Sequence, residues 1–410
     1  MRVLFIHTRG YHSSGPETYL DNMSHILKKE NISYDLFCLD YNRNNFSYVL
    51  PDMPKPIGSA DVYRYSDQKL LLRDKVTILL GSFFRLDVFL RLEKVLSEKK
   101  YDQIIVLQYF LKLSPAVFLA AKRSSVKVMF RQSDFGLICA RNTLYRDGAV
   151  CTLCSKNQLN MVVKKCGGGL MSSALLYITY KVNHLLIRYS NPAIVWTNRN
   201  SFNIGSKAKA LRGLEHNLNY TPEGIIASDK EARSYKIYDY GCIGRLSVDK
   251  GVDVLLKQLL EMPKLDFNFI FVGNVDVELI DLVMLVKSKH AEQIVFIDKV
   301  PKKSVAGYMD SCRYLVFMSS WFDNLPNSLI EAYSRGIPCI LPDFGCFTEF
   351  IPPRFPHLGY VKGSNLPLDE FADISNNVYS HMSESVRLIS DTKFSNTQHL
   401  KVIFNETKIN

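Results

Sequence analysis

At 410 residues, with 47% hydrophobic and 22% charged content, the chain is too long for one ordinary core and too apolar for broad disorder, so two folded domains are expected. Its net charge of +11 is unevenly spread: residues 1–200 hold 28 Lys+Arg against 15 Asp+Glu, whereas residues 201–410 hold 23 against 25. The first half should therefore face something anionic; with no zinc-finger spacing, RNP-like motif or arginine-rich arm, nucleic acid is disfavoured, leaving an anionic membrane surface or a phosphorylated acceptor.

In chain order, short β-rich runs alternate with amphipathic ones, the pattern of parallel sheets with crossover helices. Strands are expected at 2–8, 34–40, 103–108 and 126–131, with helices starting near Gly15 and covering 91–100 and 114–123. These make a first α/β domain over 1–200, and the polar stretch 201–236 reads as a linker. Strands at 238–244, 267–273, 293–298, 314–319 and 338–343 build a second domain over 237–385, and 386–410 forms a terminal helix. No run reaches the roughly 18 apolar residues of a spanning helix; Lys181 and His184 break the best candidate, LLYITYKVNHLLIRY. MRVLFIH is too short and too soon interrupted for a signal-peptide core, so a cytosolic protein is expected.

In doubly wound sheets the loops after the strand carboxyl ends bind the ligand. After the first strand comes YHSSGPETYL (11–20), where Gly15 permits close backbone approach and exposed helix-start N–H groups suit an anion. The dinucleotide and P-loop spacings are absent, and a plain strand-to-helix turn is the simpler alternative. In GCIGRLSVDKGVDVLL (241–256), Gly244 and Gly251 loosen the strand exit while Arg245 and Lys250 set two cations around one turn. Such cations would stabilise a departing diphosphate; a solvated loop is the alternative. In SSWFDNLPNSLIEAYSRGIP (319–338), Pro326 suits a helix start and Gly336 its stop. Glu331 would lean back toward that start and accept from a ribose, while Asp323 would grip a second set of hydroxyls. A hydrolytic carboxylate pair needs a separation of roughly 5 to 9.5 Å; the eight-residue step from Asp323 to Glu331 would rise about 12 Å if helical.

Together SGPETYL, GRLSVDKG and DNLPNSLIE, followed by GIPCILPDFGCFTEFI with Gly345 and Glu349, resemble the motifs of retaining nucleotide-sugar glycosyltransferases of family 4. The resemblance covers roughly 1–195 and 238–352. It implies an α/β fold of the GT-B type, two Rossmann-like domains with parallel sheets facing across a cleft that closes to exclude water. It implies a sugar moved from a UDP- or GDP-linked nucleotide diphosphate sugar to a glycan or lipid-linked acceptor, as in surface polysaccharide or lipopolysaccharide biosynthesis. By position Gly15 would meet the phosphates, with Gly244 and Asn324 also at the donor. Arg245 and Lys250 would hold the diphosphate, Glu331 the ribose and Asp323, standing where the family has Glu, the donor sugar. No catalytic cofactor is implied. Where many relatives carry a His-Asn pair, RQSDFGLIC places Ser133 and Asp134 on the acceptor side. The basic, apolar run 70–96 resembles family segments that lie on a membrane; a helix packed on its own domain is the alternative. The terminal segment resembles the family's final helix returning to the first domain. A nucleotide-sugar epimerase and a non-catalytic binding protein are the rival readings.

Cys139, Cys151, Cys154 and Cys166 place a C-x-x-C between two outlying cysteines, in an insert over about 137–168. The spacing suits tetrahedral thiolate ligation, so a structural zinc is expected, with free thiols as the alternative. Four thiolates leave no open position for chemistry at a sugar.

Overall fold

The structure is a computed structural model that describes residues 1–12, 15–56, 80–224 and 236–404. The chain divides into two compact units, Met1–Tyr220 with the chain end from Leu400, and Thr221–His399.

In the first unit, β1 (Arg2–Ile6), α1 (Gly15–Lys29), β2 (Ser33–Phe37), α2 (Leu86–Glu98), β3 (Gln103–Val106), α3 (Ala116–Arg123) and β4 (Lys127–Arg131) alternate as the apolar runs demand. The insert follows as a two-stranded antiparallel hairpin, β5 (Tyr145–Arg146) and β6 (Ala149–Val150), then α4 (Leu153–Lys156) and α5 (Asn160–Val163). A long helix α6 (Leu170–Ser190), β7 (Ala193–Trp196), α7 (Arg199–Ser206) and β8 (His216–Leu218) complete the unit. The sheet is parallel throughout, in the order β2-β1-β3-β4-β7-β8. Val3 and Phe5 of β1 pack on Tyr19, Leu20 and Met23 of α1.

Residues 199–218 correct the expected linker: they carry α7 and the sixth strand of this sheet. β8 is the three-residue run HNL on a sheet edge, half-buried, so no apolar alternation announced it. Strand β7, the run AIVW, was likewise absent from the expected elements. Of the run 70–96, residues 70–79 lie outside the described residues, and α2 buries Val88, Phe89, Leu92 and Val95.

The second unit runs β9 (Tyr238–Ile243), α8 (Val252–Glu261), β10 (Phe269–Val272), α9 (Ile280–Lys289), β11 (Ile294–Ile297), α10 (Lys302–Asp310), β12 (Cys312–Val316), α11 (Asn327–Ser334), β13 (Cys339–Pro342), β14 (Gly359–Tyr360) and α12 (Leu368–Ala372). The expected terminal helix is two helices, α13 (Asn376–Lys393) and α14 (Asn396–Phe404), and α13 begins ten residues before the expected boundary at 386. Leu400 and Ile403 of α14 belong to the first unit's core.

The two sheets differ in winding. The second is also parallel, in the order β11-β10-β9-β12-β13-β14, which is 3-2-1-4-5-6 in chain order and reverses between β9 and β12. The first, 2-1-3-4-5-6, reverses between β1 and β3. Ligands of such sheets sit beyond the strand carboxyl ends at that reversal, and the expected donor loops follow β9 and β12.

Candidate functional site

The loops after β9 and β12 are fastened to each other through their backbones. Gly251 caps α8 at φ +74°, and a Cβ there would stand 2.1 Å from the Met318 carbonyl oxygen. The Asp249 carbonyl accepts from Ser320 N (3.3 Å) and Ser320 Oγ (3.0 Å). Leu325, at φ +136°, occupies a region a branched side chain rarely adopts, just before Pro326 sets the start of α11.

On this frame the two cations are held by acids. Lys250 Nζ donates to both Asp323 carboxylate oxygens at 2.8 and 2.7 Å, and Asp323, almost wholly buried, also accepts from Ser319 Oγ. Arg245, half-exposed, donates to Asp249 Oδ2 (2.6 Å) and Asp276 Oδ2 (3.1 Å). Burial works to depress the Arg245 pKa, but these two carboxylates outweigh it and raise it; burial works to raise that of Asp249, and the Ser247 and Arg245 hydrogen bonds hold it low. Lys250 Nζ also lies 5.4 Å from the Trp321 ring centre, and the Trp321 indole Nε1 is buried without a hydrogen-bond partner.

Glu331 stands apart from this network. It sits in the middle of α11, and among the described residues its carboxylate takes no hydrogen bond. Burial pushes its pKa up to about 7 against the weaker opposing pull of Lys302 and Arg335. Arg335 is engaged elsewhere, in a buried pair with Asp310. A half-buried carboxylate with unused acceptor capacity suits paired hydroxyls.

Gly244 takes φ +143° at the exit of β9, and Asn324 lies in the Asp323 loop. Gly345 takes φ +65° against the Phe322 ring, whereas Glu349 lies in a 3₁₀ turn with its carboxylate 3.7 Å from Lys393. The serine, tryptophan and counter-acids of the network were not singled out from sequence, although Ser319 stands four residues before Asp323 and Asp249 four after Arg245.

In the first unit Gly15 is the first residue of α1, and Ser13 and Ser14 lie outside the described residues. Behind it the fully buried Glu17 carboxylate is 2.9 Å from His7 Nε2 and 3.6 Å from Arg9 Nη1, a group that sequence alone did not reveal. Burial lowers the His7 pKa against the Glu17 hydrogen bond. Asp134 accepts from Gly136 N (2.7 Å), shaping its own turn, and Ser133 Oγ lies 3.3 Å from Arg131 Nη1.

All nine cysteines are free. Cys139, Cys151, Cys154 and Cys166 share one neighbourhood, where burial and then mutual repulsion among thiolates raise the pKa of Cys139 and Cys154. Chemically this is the donor set of a thiolate site. Among the described residues no group of three or more His, Cys, Asp or Glu side chains is placed to hold a metal ion.

Residues 238–373 match the family model for glycosyl transferases group 1. That span holds Arg245, Lys250, Asp323 and Glu331, and the match over this part of the chain supports a glycosyltransferase enzyme. Solved structures align over nearly the entire chain. HepE of Anabaena in complex with UDP is 12% identical over 98% of each chain at a TM-score of 0.59. A glycosyltransferase from Rickettsia africae ESF-5 is 12% identical over 99% of each at 0.64. The apo lipopolysaccharide outer core galactosyltransferase WaaB is 15% identical over 99% of each at 0.55. At such identities the likeness is one of fold, and the fold is GT-B. Among curated proteins none matches the sequence significantly.

Proposed function

We propose that the protein is a retaining glycosyltransferase that moves a sugar from a nucleotide diphosphate sugar, UDP- or GDP-linked, onto a glycan or lipid-linked acceptor. Neighbouring structures hold UDP, UDP with glucose, and UDP-glucose, which supports a donor of this class. The observation that carries the reading is the Lys250–Asp323 pair beside Arg245 at the sheet reversal. Asp323 takes two of the three ammonium protons of Lys250, leaving the third for a phosphate oxygen. Arg245, on the solvent side, exchanges its carboxylate partners for the diphosphate. Charge that grows on the leaving phosphate then meets two cations already fixed in place, an interaction stronger in the transition state than in the ground state. Glu331 accepts from the ribose, Asp323 orients the donor sugar, and the departing phosphate takes the acceptor proton, so no protein base is required. Nine unpaired thiols suit work in a reducing compartment, the cytosol.

The test is a thermal-stabilisation screen of UDP- and GDP-sugars followed by transfer assays. The expected result is stabilisation by one donor and its loss in Glu331→Ala. Turnover of donor without any acceptor would instead favour an epimerase, and binding with no transfer to any acceptor a non-catalytic protein.

A further inference from the structure

Trp321 stands in the turn after β12, half-buried between residues that the frame holds on both sides. Ser320 donates to the Asp249 carbonyl through both N (3.3 Å) and Oγ (3.0 Å). The Phe322 ring stacks on Phe344 with centres 4.8 Å apart, and Asp323 N donates to the Trp321 carbonyl at 2.9 Å. The backbone around the indole is therefore fixed, yet its Nε1 is buried with no hydrogen-bond partner among the described residues. Leaving a buried donor unmade costs stability, and folded proteins make such exceptions mainly at functional positions.

An indole N–H only donates, so what it lacks is an acceptor. The acceptors built into these loops are already engaged. Both Asp323 oxygens take protons from Lys250, one of them also from Ser319, and the Asp249 carbonyl takes both Ser320 groups. Lys250 Nζ lies 5.4 Å from the Trp321 ring centre. One phosphate group, whose oxygens accept in several directions, can take an ammonium proton and the indole N–H together. A sugar hydroxyl fits the pair less well, because it brings no charge for the ammonium and makes the weaker neutral hydrogen bond.

We propose that Trp321 is a phosphate-binding residue of the donor site, its indole N–H donating to the sugar-bearing phosphate that Lys250 holds. This rests on the nucleotide-sugar reading above and adds a neutral donor to the two cations. The three groups differ before the ligand arrives. Arg245 and Lys250 are matched by acids in the free protein, whereas the indole makes its hydrogen bond only when the phosphate is present.

The test is isothermal titration of the full chain and of Trp321→Phe with UDP, GDP, UMP and GMP. The variant keeps an aromatic ring and removes the N–H. It is expected to bind the preferred diphosphate about ten- to hundredfold more weakly. The monophosphate of the same base, which lacks the second phosphate, should bind both proteins alike. Phe is smaller than Trp, so lost packing would weaken both nucleotides, and the ratio of the two affinities is the readout. A second measurement uses the parent itself. The chain has two tryptophans, and Trp196 Nε1 already donates to His216 Nδ1 at 3.0 Å. In nitrogen-labelled protein the diphosphate should move one of the two indole N–H signals, the one absent from Trp321→Phe, and the monophosphate should leave it in place. Equal diphosphate binding by parent and variant, a loss shared by the monophosphate, or an unmoved Trp321 signal would each overturn this assignment alone. A parent that binds none of the four nucleotides would overturn the donor reading with it.

Discussion

Two regions, the donor loops of the second unit and one stretch of the first, hold positive charge differently. In the second, Arg245 and Lys250 are already matched by Asp249, Asp276 and Asp323. In the first, the stretch from Gly148 to Leu214 has no acid to match its cations. Pairing fixes a cation's position and shortens its reach, which suits recognition of one ligand at one place. Cations spread along a surface act over a Debye length and suit a broad anionic partner. The half-to-half charge imbalance thus separates two kinds of surface, and the sharper chemistry lies in the nearly neutral half.

The strongest way to break this comparison is to remove a fixed cation. Arg245→Ala is expected to cost about 10²- to 10³-fold in transfer rate while barely moving the melting temperature, since exposed pairs contribute about 0–1 kcal/mol. Lys250→Ala should lose activity in the same way, with a somewhat lower melting temperature because Asp323 is then buried with only Ser319 as a partner. Transfer of a labelled sugar and thermal unfolding read both, and parental rates would remove these residues from the site. Next in size is the frame that places them. Gly251→Ala must accommodate φ +74° and a Cβ 2.1 Å from the Met318 carbonyl oxygen, for a loss of about 3 kcal/mol. Gly363→Ala is its control: φ is +91° and nothing lies within 4 Å of the added carbon, so only the backbone preference is lost, about 1 kcal/mol. Equal losses in chemical denaturation would mean the contact between the β9 and β12 loops contributes nothing.

Where a run was both apolar and long enough to alternate, the sequence was legible: β1, β9, β10 and β13 fall within their expected spans, β12 starts two residues before its own, and Pro326 and Gly336 bracket α11. Short edge elements were not legible, because β8 buries too little apolar surface to leave a pattern. Arg245, Lys250, Asp323 and Glu331 could be named from their loops, but the counter-acids Asp249 and Asp276 and the pairing could not. Nothing in GRLSVDKG says that Arg245 faces Asp276, thirty-one residues on, or that Lys250 meets Asp323 rather than solvent. That information lies in the strand order, which carries β12 next to β9 and closes the sequence gap. The inward polar groups of α6 were hidden for a related reason. LLYITYKVNHLLIRY reads as an interrupted membrane span, and only the packing shows that Asn183 and His184 turn inward.

The smallest expected effect concerns Glu331, whose carboxylate takes no hydrogen bond among the described residues and feels only the weaker pull of Lys302 and Arg335. Its folded pKa of about 7 stands above the ordinary 4.5 of a glutamate. Between those values the folded protein keeps a proton that the unfolded chain has released, so stability contributed by the protonated form is lost as pH rises through this window and is flat above it. Glu331→Gln mimics the protonated carboxyl at every pH. The variant should match the parent near pH 4 and exceed its unfolding free energy by about 1–3 kcal/mol at pH 8, while losing stabilisation by the donor. A parent-to-variant difference that stays constant from pH 4 to 8 would place the carboxylate in solvent, and the site would then lack its unsatisfied acceptor.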